Sequence, residues 1–473
     1  MLKEDLESSF PDTGASCQTA QPSHALRADP VLPFLEMAWS PSQMREFLNR
    51  RVLPAVWPGQ EVTAVAIDEM TYKPGKQCEI LYSLQFVNPT TGQARWTAVT
   101  FADEKSLQEI YRRHYSGDGG PAARPTPRPV VFLPEYGCLV EFFPMDWRLP
   151  FLAWVVEPQQ IALLLSQNGP KAEHSHWLPK VEVLRYRPHK RGVLRYTVNA
   201  PDSGDPQEVI GKVYLLGSQT VREAYVLNLL RPQAAACGII IPKPLRVMEE
   251  WGFLLMERVP GTGLQLVMKQ AQTLEQFKEV IGLVVATLVS LHSFRFESQE
   301  VRSLQAEVEK LHKRVALFHL VAPLLAQQAE ALLLQIAQLG ARSTTAACTF
   351  IHGGFHPDQM LMDKEQIAVV DFDSSCLGDP AMDVGKFMAS LRHKAVSKAS
   401  DTFRQFAAYF LSEYQARLPG HRVGDRVHLF LSIYLVRRAL RAFEKRPYDY
   451  GCAGPDALPA LLLQEAVASL KEN

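Results

Sequence analysis

The chain has 473 residues, 47% of them hydrophobic, enough to bury more than one core, which excludes a disordered polymer. Lysine plus arginine total 50 and aspartate plus glutamate total 50, so no global field draws the chain to nucleic acid or to an anionic membrane, and recognition by charge is local. The seven cysteines (Cys17, Cys78, Cys138, Cys237, Cys348, Cys376, Cys452) show no CxxC or Cys/His ligand spacing and read as reduced thiols of a cytoplasmic protein.

Residues 1–40 are rich in Ser, Pro, Asp and Gln and are expected to form a disordered tail. Acidic residues come early there and no apolar core of signal-peptide length follows. No later run reaches about 18 uninterrupted apolar residues, so neither export nor a membrane span is expected.

Comparison of the chain with itself reveals a repeat. TYKPGKQCEILYSLQF (Thr71 to Phe86) and RYRPHKRGVLRYTVNA (Arg185 to Ala200) match at Tyr72 and Tyr186, Pro74 and Pro188, Lys76 and Lys190, and Tyr82 and Tyr196. Further along, RWTAVTF then SLQEIY parallels EVIGKVY then TVREAY, with Glu109 opposite Glu223, and FLPEYGCLVEFFP parallels VMEEWGFLLMERVP. Each copy predicts strand, basic turn, strand, polar loop, strand, amphipathic helix and an apolar hairpin, which is an antiparallel sheet crossed by one helix. The copies occupy 41–165 and 166–262. In the first, Ala98 or Val99 falls at the position of Lys212 in the second.

From about Gly261 the pattern turns helical. Leu274 to Phe294, Ala322 to Leu339 and Val423 to Phe443 carry apolar residues at i, i+3, i+4 spacing, and residues 263–473 are expected to be a mainly helical region.

The densest motif runs from Phe350 to Phe387, FIHGGFHPDQMLMDKEQIAVVDFDSSCLGDPAMDVGKF. His352-Gly353 open a loop, His356-Pro357 follow, a strand from Ile367 to Val370 ends at Asp371-Phe372, and Gly378-Asp379-Pro380 lead to Asp383. In these residues the chain resembles the aminoglycoside phosphotransferase and related small-molecule kinase family, over about Lys180 to Tyr450. The resemblance implies an α+β, protein-kinase-like bilobal fold: an antiparallel-sheet small lobe, a helical large lobe, and here an extra small-lobe-like copy in front. It also implies ATP and Mg²⁺ in the cleft between the lobes. By position, the resemblance implies that Lys212 is the lysine that contacts the α- and β-phosphates, Glu223 its ion-pair partner, and Asp371 the Mg²⁺ ligand. His352, Asp379 and Asp383 are structural braces of the loop, and His292 is a buried core residue.

Two residues depart from the family pattern. Gly354 stands where the family places the aspartate that accepts the proton of the attacking hydroxyl, and Gln359 stands where it places a metal-binding asparagine. The amide oxygen of Gln359 suits either a second metal or simple structural filling. The turn PHKRG, with Lys190 and Arg191, suits either phosphate contact or a solvated basic hairpin. Loss of a general base typically costs about 10²- to 10⁴-fold in rate, whereas loose phosphoryl transfer depends mostly on positioning and charge. Two readings follow: an ATP-dependent phosphotransferase with weak or altered transfer to a small-molecule hydroxyl, His356 or Asp358 standing near enough to replace the base, or a pseudokinase acting as a scaffold or protein-binding regulator. A small-molecule or peptide acceptor and a protein partner docking on 41–165 are the partners implied. The cationic RRALRAFEKRP near Tyr448 argues against an aminoglycoside and for a neutral or anionic metabolite, sugar or peptide.

Overall fold

The structure is a computed structural model, and it describes residues 29–87, 95–116, 129–166, 178–198, 207–270, 274–298, 300–343, 348–445 and 457–472. Residues 1–28 of the expected tail, and 446–448 of the cationic segment near Tyr448, lie outside these. Two compact units emerge: Leu2–Ala224 with Pro244–Arg258, and Tyr225–Lys243 with Val259–Asn473.

The first unit holds two five-stranded antiparallel sheets. Strands β1 (Val62–Lys73), β2 (Gln77–Phe86), β3 (Trp96–Ala102), β4 (Val130–Leu133) and β5 (Cys138–Phe142) lie in the order β1-β2-β3-β5-β4. Strands β6 (Lys180–Arg187), β7 (Arg191–Val198), β8 (Gln207–Tyr214), β9 (Pro244–Met248) and β10 (Phe253–Glu257) lie in the order β6-β7-β8-β10-β9. The repeat read from the sequence is therefore a repeat of topology. Residues of both sheets, among them Leu81, Trp96, Tyr186, Leu194, Tyr196 and Phe253, share one apolar core.

The repeated unit begins earlier than residue 41. Helix α1 (Leu35–Trp39) precedes the first sheet and α2 (Leu152–Val155) the second, and the chain reads Asp-x-x-Leu-Pro-Phe-Leu into each, from Asp29 and from Asp146. Asp29 accepts hydrogen bonds from the Tyr72 hydroxyl (2.6 Å) and the Gly75 amide (2.8 Å), and Asp146 accepts them from the Tyr186 hydroxyl (2.9 Å) and the His189 amide (2.8 Å). Tyr82 donates to the Ala38 carbonyl at 2.5 Å, as Tyr196 does to the Val155 carbonyl at 2.9 Å. Each strap is thus tied to its sheet by one carboxylate and two tyrosines. Residues 29–40, read from composition as part of a disordered tail, are folded, with Leu32, Leu35, Ala38 and Trp39 buried.

Helix α3 (Glu104–His114) crosses the first sheet, capped by Asp103 accepting from the Ser106 amide at 2.9 Å. Its counterpart α4 (Gly217–Ala236) is longer and carries the chain into the second unit. There α5 (Leu264–Gln270), α6 (Leu274–His292), α7 (Leu304–Val321), α8 (Pro323–Arg342), α9 (Ala381–Ser397), α10 (Thr402–Arg417), α11 (Gly424–Lys445) and α12 (Leu458–Leu470) surround short strands that frame one loop. The apolar periodicities read in the sequence coincide with α6, α8 and α11. Strands β11 (Thr262–Gly263), β14 (Met360–Asp363) and β15 (Gln366–Val369) form one small sheet, and β12 (Val301–Arg302), β16 (Cys376–Gly378) and β13 (Thr349–Ile351) form another. Among the described residues no helix is long and apolar enough to cross a membrane.

Candidate active site

Lys212 sits on β8 between Val193 of β7 and Leu254 of β10. Its Nζ donates to Glu223 Oε1 at 2.6 Å, with side chains 6% and 1% exposed, and the Tyr214 hydroxyl donates to the other Glu223 oxygen. Two charges this deeply buried are tolerable only together. The sequence reading placed exactly these two residues as partners, and the structure joins them.

The first sheet holds no such pair. Its β3–β5 register sets Thr100 opposite Leu139, and Ala102 bonds to the Gly137 carbonyl as Tyr214 does to that of Gly252. Thr100, rather than Ala98 or Val99, is therefore the equivalent of Lys212. Thr100 stands nine residues before Glu109 and Lys212 eleven before Glu223, so an ungapped comparison anchored on the glutamates slides by two to Ala98, which keeps the face and hides the error. Thr100 is buried and Glu109 is exposed.

The PHKRG turn faces the first sheet. His189, at φ 59°, places its imidazole 2.9 Å from Glu141 Oε2 and 3.4 Å from Glu79 Oε1. Burial disfavours its charge, yet Glu141 and Asp146 outweigh that and hold its pKa well above the ordinary value. Lys190 Nζ donates to Thr71 Oγ1 at 2.9 Å, and Arg187 grips Glu69 through two nitrogens, Nε at 2.8 Å. Through these contacts the turn clasps the second sheet to the first.

In the second unit the Phe350–Phe387 segment forms a braced loop. Asp383 accepts from the His352 amide (2.7 Å), the Gly353 amide (2.9 Å) and His292 Nε2 (3.3 Å). Burial alone would raise its pKa, but these partners hold it below the usual carboxylate range. His292 also meets the Tyr414 hydroxyl at 2.6 Å, and Asp379 pairs with Arg426 at 2.6 Å, so these residues brace the loop as the sequence implied. His352 Nε2 lies 3.1 Å from the Val370 carbonyl, and its Nδ1 accepts from the Gly354 amide at 3.1 Å. Gly353 has φ 68°, and a Cβ there would lie 2.3 Å from the Ser374 carbonyl oxygen, so only glycine fits.

Asp371 and Gln359 come together at the end of β15: Gln359 Nε2 donates to Asp371 Oδ2 at 3.0 Å. Asp371 has φ 69°, a left-handed conformation that aspartate tolerates better than most residues and that is common at functional sites. Among the described residues no group of three or more His, Cys, Asp or Glu side chains forms a metal cage. A single carboxylate with a neighbouring amide oxygen suits Mg²⁺, which keeps several waters and takes phosphate oxygens as ligands. Gly354 offers no side chain. His356 is neutral because burial, then Lys386 and Arg438, push its pKa well below the ordinary value, and Asp358 is exposed and bonded to Gln265. One residue that the sequence reading missed stands at the loop: Lys386 Nζ donates to the Gly353 carbonyl at 2.7 Å. Its spacing of i+3 from Asp383 on one helix face was the available signal.

Residues 186–421 match the model of the phosphotransferase enzyme family. No curated protein matches the chain. Among solved structures, choline kinase from Cryptosporidium parvum Iowa II is similar at 14% identity and TM-score 0.47, over 67% of this chain and 96% of that one. An aminoglycoside phosphotransferase crystallised with ADP and hygromycin B is similar at 15% identity and TM-score 0.43, over 66% and 99%. The ethanolamine kinase of Plasmodium vivax is similar at 11% identity and TM-score 0.43, over 61% and 81%.

Proposed function

Because residues 186–421 belong to the phosphotransferase enzyme family, we propose that this protein binds Mg-ATP and transfers the γ-phosphoryl group slowly to a small-molecule hydroxyl. The observation that carries the reading is the buried 2.6 Å pair of Lys212 and Glu223. Glu223 fixes the ammonium in place, so Lys212 meets the α- and β-phosphates without first being ordered. Asp371, oriented by Gln359, supplies the hard oxygen for Mg²⁺. Bound there, the ion supplies neutralisation of phosphate charge.

In the transfer, the acceptor oxygen forms its bond to phosphorus as the bond from phosphorus to the ADP oxygen breaks. With no carboxylate at residue 354, the hydroxyl proton leaves on the transferred phosphoryl group. The His352, Asp383 and Lys386 contacts hold the loop backbone, so the deficit is one of proton acceptance rather than of geometry.

Thermal shift with millimolar Mg-ATP tests the reading: wild type is stabilised, and Lys212→Ala and Asp371→Ala abolish the shift. No shift in wild type, or an undiminished one in both variants, refutes it. Gly354→Asp then restores the base and raises transfer by about 10²- to 10⁴-fold, although the new Cβ must settle 3.1 Å from His352 Nδ1. The bare Gly354 also favours a second reading, a nucleotide-binding pseudokinase. Nucleotide binding with no transfer in wild type or Gly354→Asp selects it.

A further inference from the structure

Three cations lie on two helices that pack against each other, α9 and α11, and one of them, Lys386, reaches the Gly353 carbonyl. Lys386 and Lys394 lie eight residues apart on one face of α9, with Ser390 between them. Arg438 of α11 donates to Ser390 Oγ at 2.6 Å, and Lys386, besides bonding Gly353, stands 5.4 Å above the Tyr434 ring of α11. All three are half-buried, and among the described residues none of them forms an ion pair. Neighbouring cations are matched: Arg437 pairs with Glu307 at 2.5 Å, and Arg392 with Glu465 at 3.0 Å. The acid that favours the charge of Lys394 and of Arg438 is the exposed Asp358.

Half-buried cations without a counter-charge are costly unless an anion visits them. Burial pushes Arg438 down to about 10 and, joined by Arg437, pushes Lys386 down to about 7, the response of charges that lack a partner. Lys386 uses one of its N–H groups on Gly353, leaving two to donate. The carboxylate that the family places at residue 354 would repel an anion, and this chain has glycine there.

We propose that the acceptor is an anionic hydroxy compound whose carboxylate or phosphate oxygens are held by Lys386 and Arg438, with Lys394 at the outer end, which sets its hydroxyl beside Gly354. This deepens the phosphotransferase reading and rests on it.

Calorimetry on the full chain, with and without saturating Mg-ATP, tests the assignment using four probes: glycerol 3-phosphate, glycerate, glycerol and choline. The two anions bind, and glycerol and choline bind more weakly; the two anions compared with each other distinguish phosphate from carboxylate. Lys386→Met and Arg438→Gln each weaken the anions by about tenfold or more. Choline binding more tightly than either anion, or anion affinity unchanged in both variants, overturns the proposal even where Mg-ATP binds normally. Anion binding that depends on the two cations, without any Mg-ATP binding, would instead refute the phosphotransferase reading and leave the anion site standing.

If the variants fail to fold, sulfate binding to the wild type replaces them, because sulfate keeps its charge from about pH 6 to about pH 9. Arg437 and Arg302 oppose the charge of Lys386, whereas Asp383 and Glu307 favour it. Sulfate affinity falls as pH rises and Lys386 loses its proton. A flat profile removes Lys386 from the site.

Discussion

The two five-stranded sheets of the first unit share strand order, the Asp–Tyr strap and the tyrosine bond to the preceding helix, yet differ in what fills equivalent positions. In the second sheet Lys212 and Glu223 bury a matched pair. In the first, Thr100 takes the lysine position and Glu109 faces solvent. The turn differs too: Gly75 at φ 65° in the first copy corresponds to His189 at φ 59° in the second, a left-handed position where a side chain costs about 1–2 kcal/mol. That cost is offset because the imidazole enters the carboxylates of the first sheet. Apolar alternation and a few local hydrogen bonds maintain a topology, while single polar residues decide which copy buries a lysine–glutamate pair and which receives the clasp.

The sharpest way to break this comparison is to make matching substitutions at the equivalent positions. Lys212→Met strands Glu223 in the interior and is expected to cost about 3–5 kcal/mol in urea unfolding. Thr100→Val removes a buried hydroxyl that has no hydrogen-bond partner among the described residues and is expected to change stability by less than about 0.5 kcal/mol. Equal losses at the two positions would show that the Lys212–Glu223 pair does not set the second sheet apart from the first.

The clasp comes next in size. His189→Gln keeps one hydrogen bond but removes the cation among Glu79, Glu141 and Asp146, for an expected loss of about 1–3 kcal/mol near neutral pH. His189 titrates well above the ordinary histidine value when folded. Its contribution is thus complete below about pH 6.5 and disappears as pH rises through the raised folded value. Unfolding midpoints of wild type and variant should converge on the alkaline side; a constant gap would mean that the imidazole packs there as a neutral group.

The repeat, the helices and the braced loop were legible because each is written in local periodicity or in a short motif. His352, Asp379, Asp383, Asp371 and Gln359 all fall within one segment of the chain, so their meeting needed little knowledge of the tertiary structure. The clasp was illegible because Glu141 lies 48 residues before His189 on the other sheet, and Asp146, in the strap, 43 residues before it. Asp29 likewise finds Tyr72 across 43 residues, which is why composition alone consigned its segment to a tail. Lys386 was within the quoted motif, but a lysine on a helix face usually reads as solvated, and only the fold turns it toward the Gly353 carbonyl.

The smallest expected effect sharpens the division of labour between the copies. Lys190 donates to Thr71 and makes a loose 3.9 Å approach to Glu69, with 42% of its side chain exposed. Such a contact contributes within about 1 kcal/mol, so Lys190→Ala should lower the unfolding midpoint only slightly and leave the Mg-ATP dissociation constant within about twofold. The Asp146–His189 bond fixes the turn backbone independently of this side chain, so its removal does not release the turn. A tenfold weakening of nucleotide binding with unchanged stability would show that the basic turn reaches phosphate after all, and that the second sheet serves ligand and clasp with the same residues.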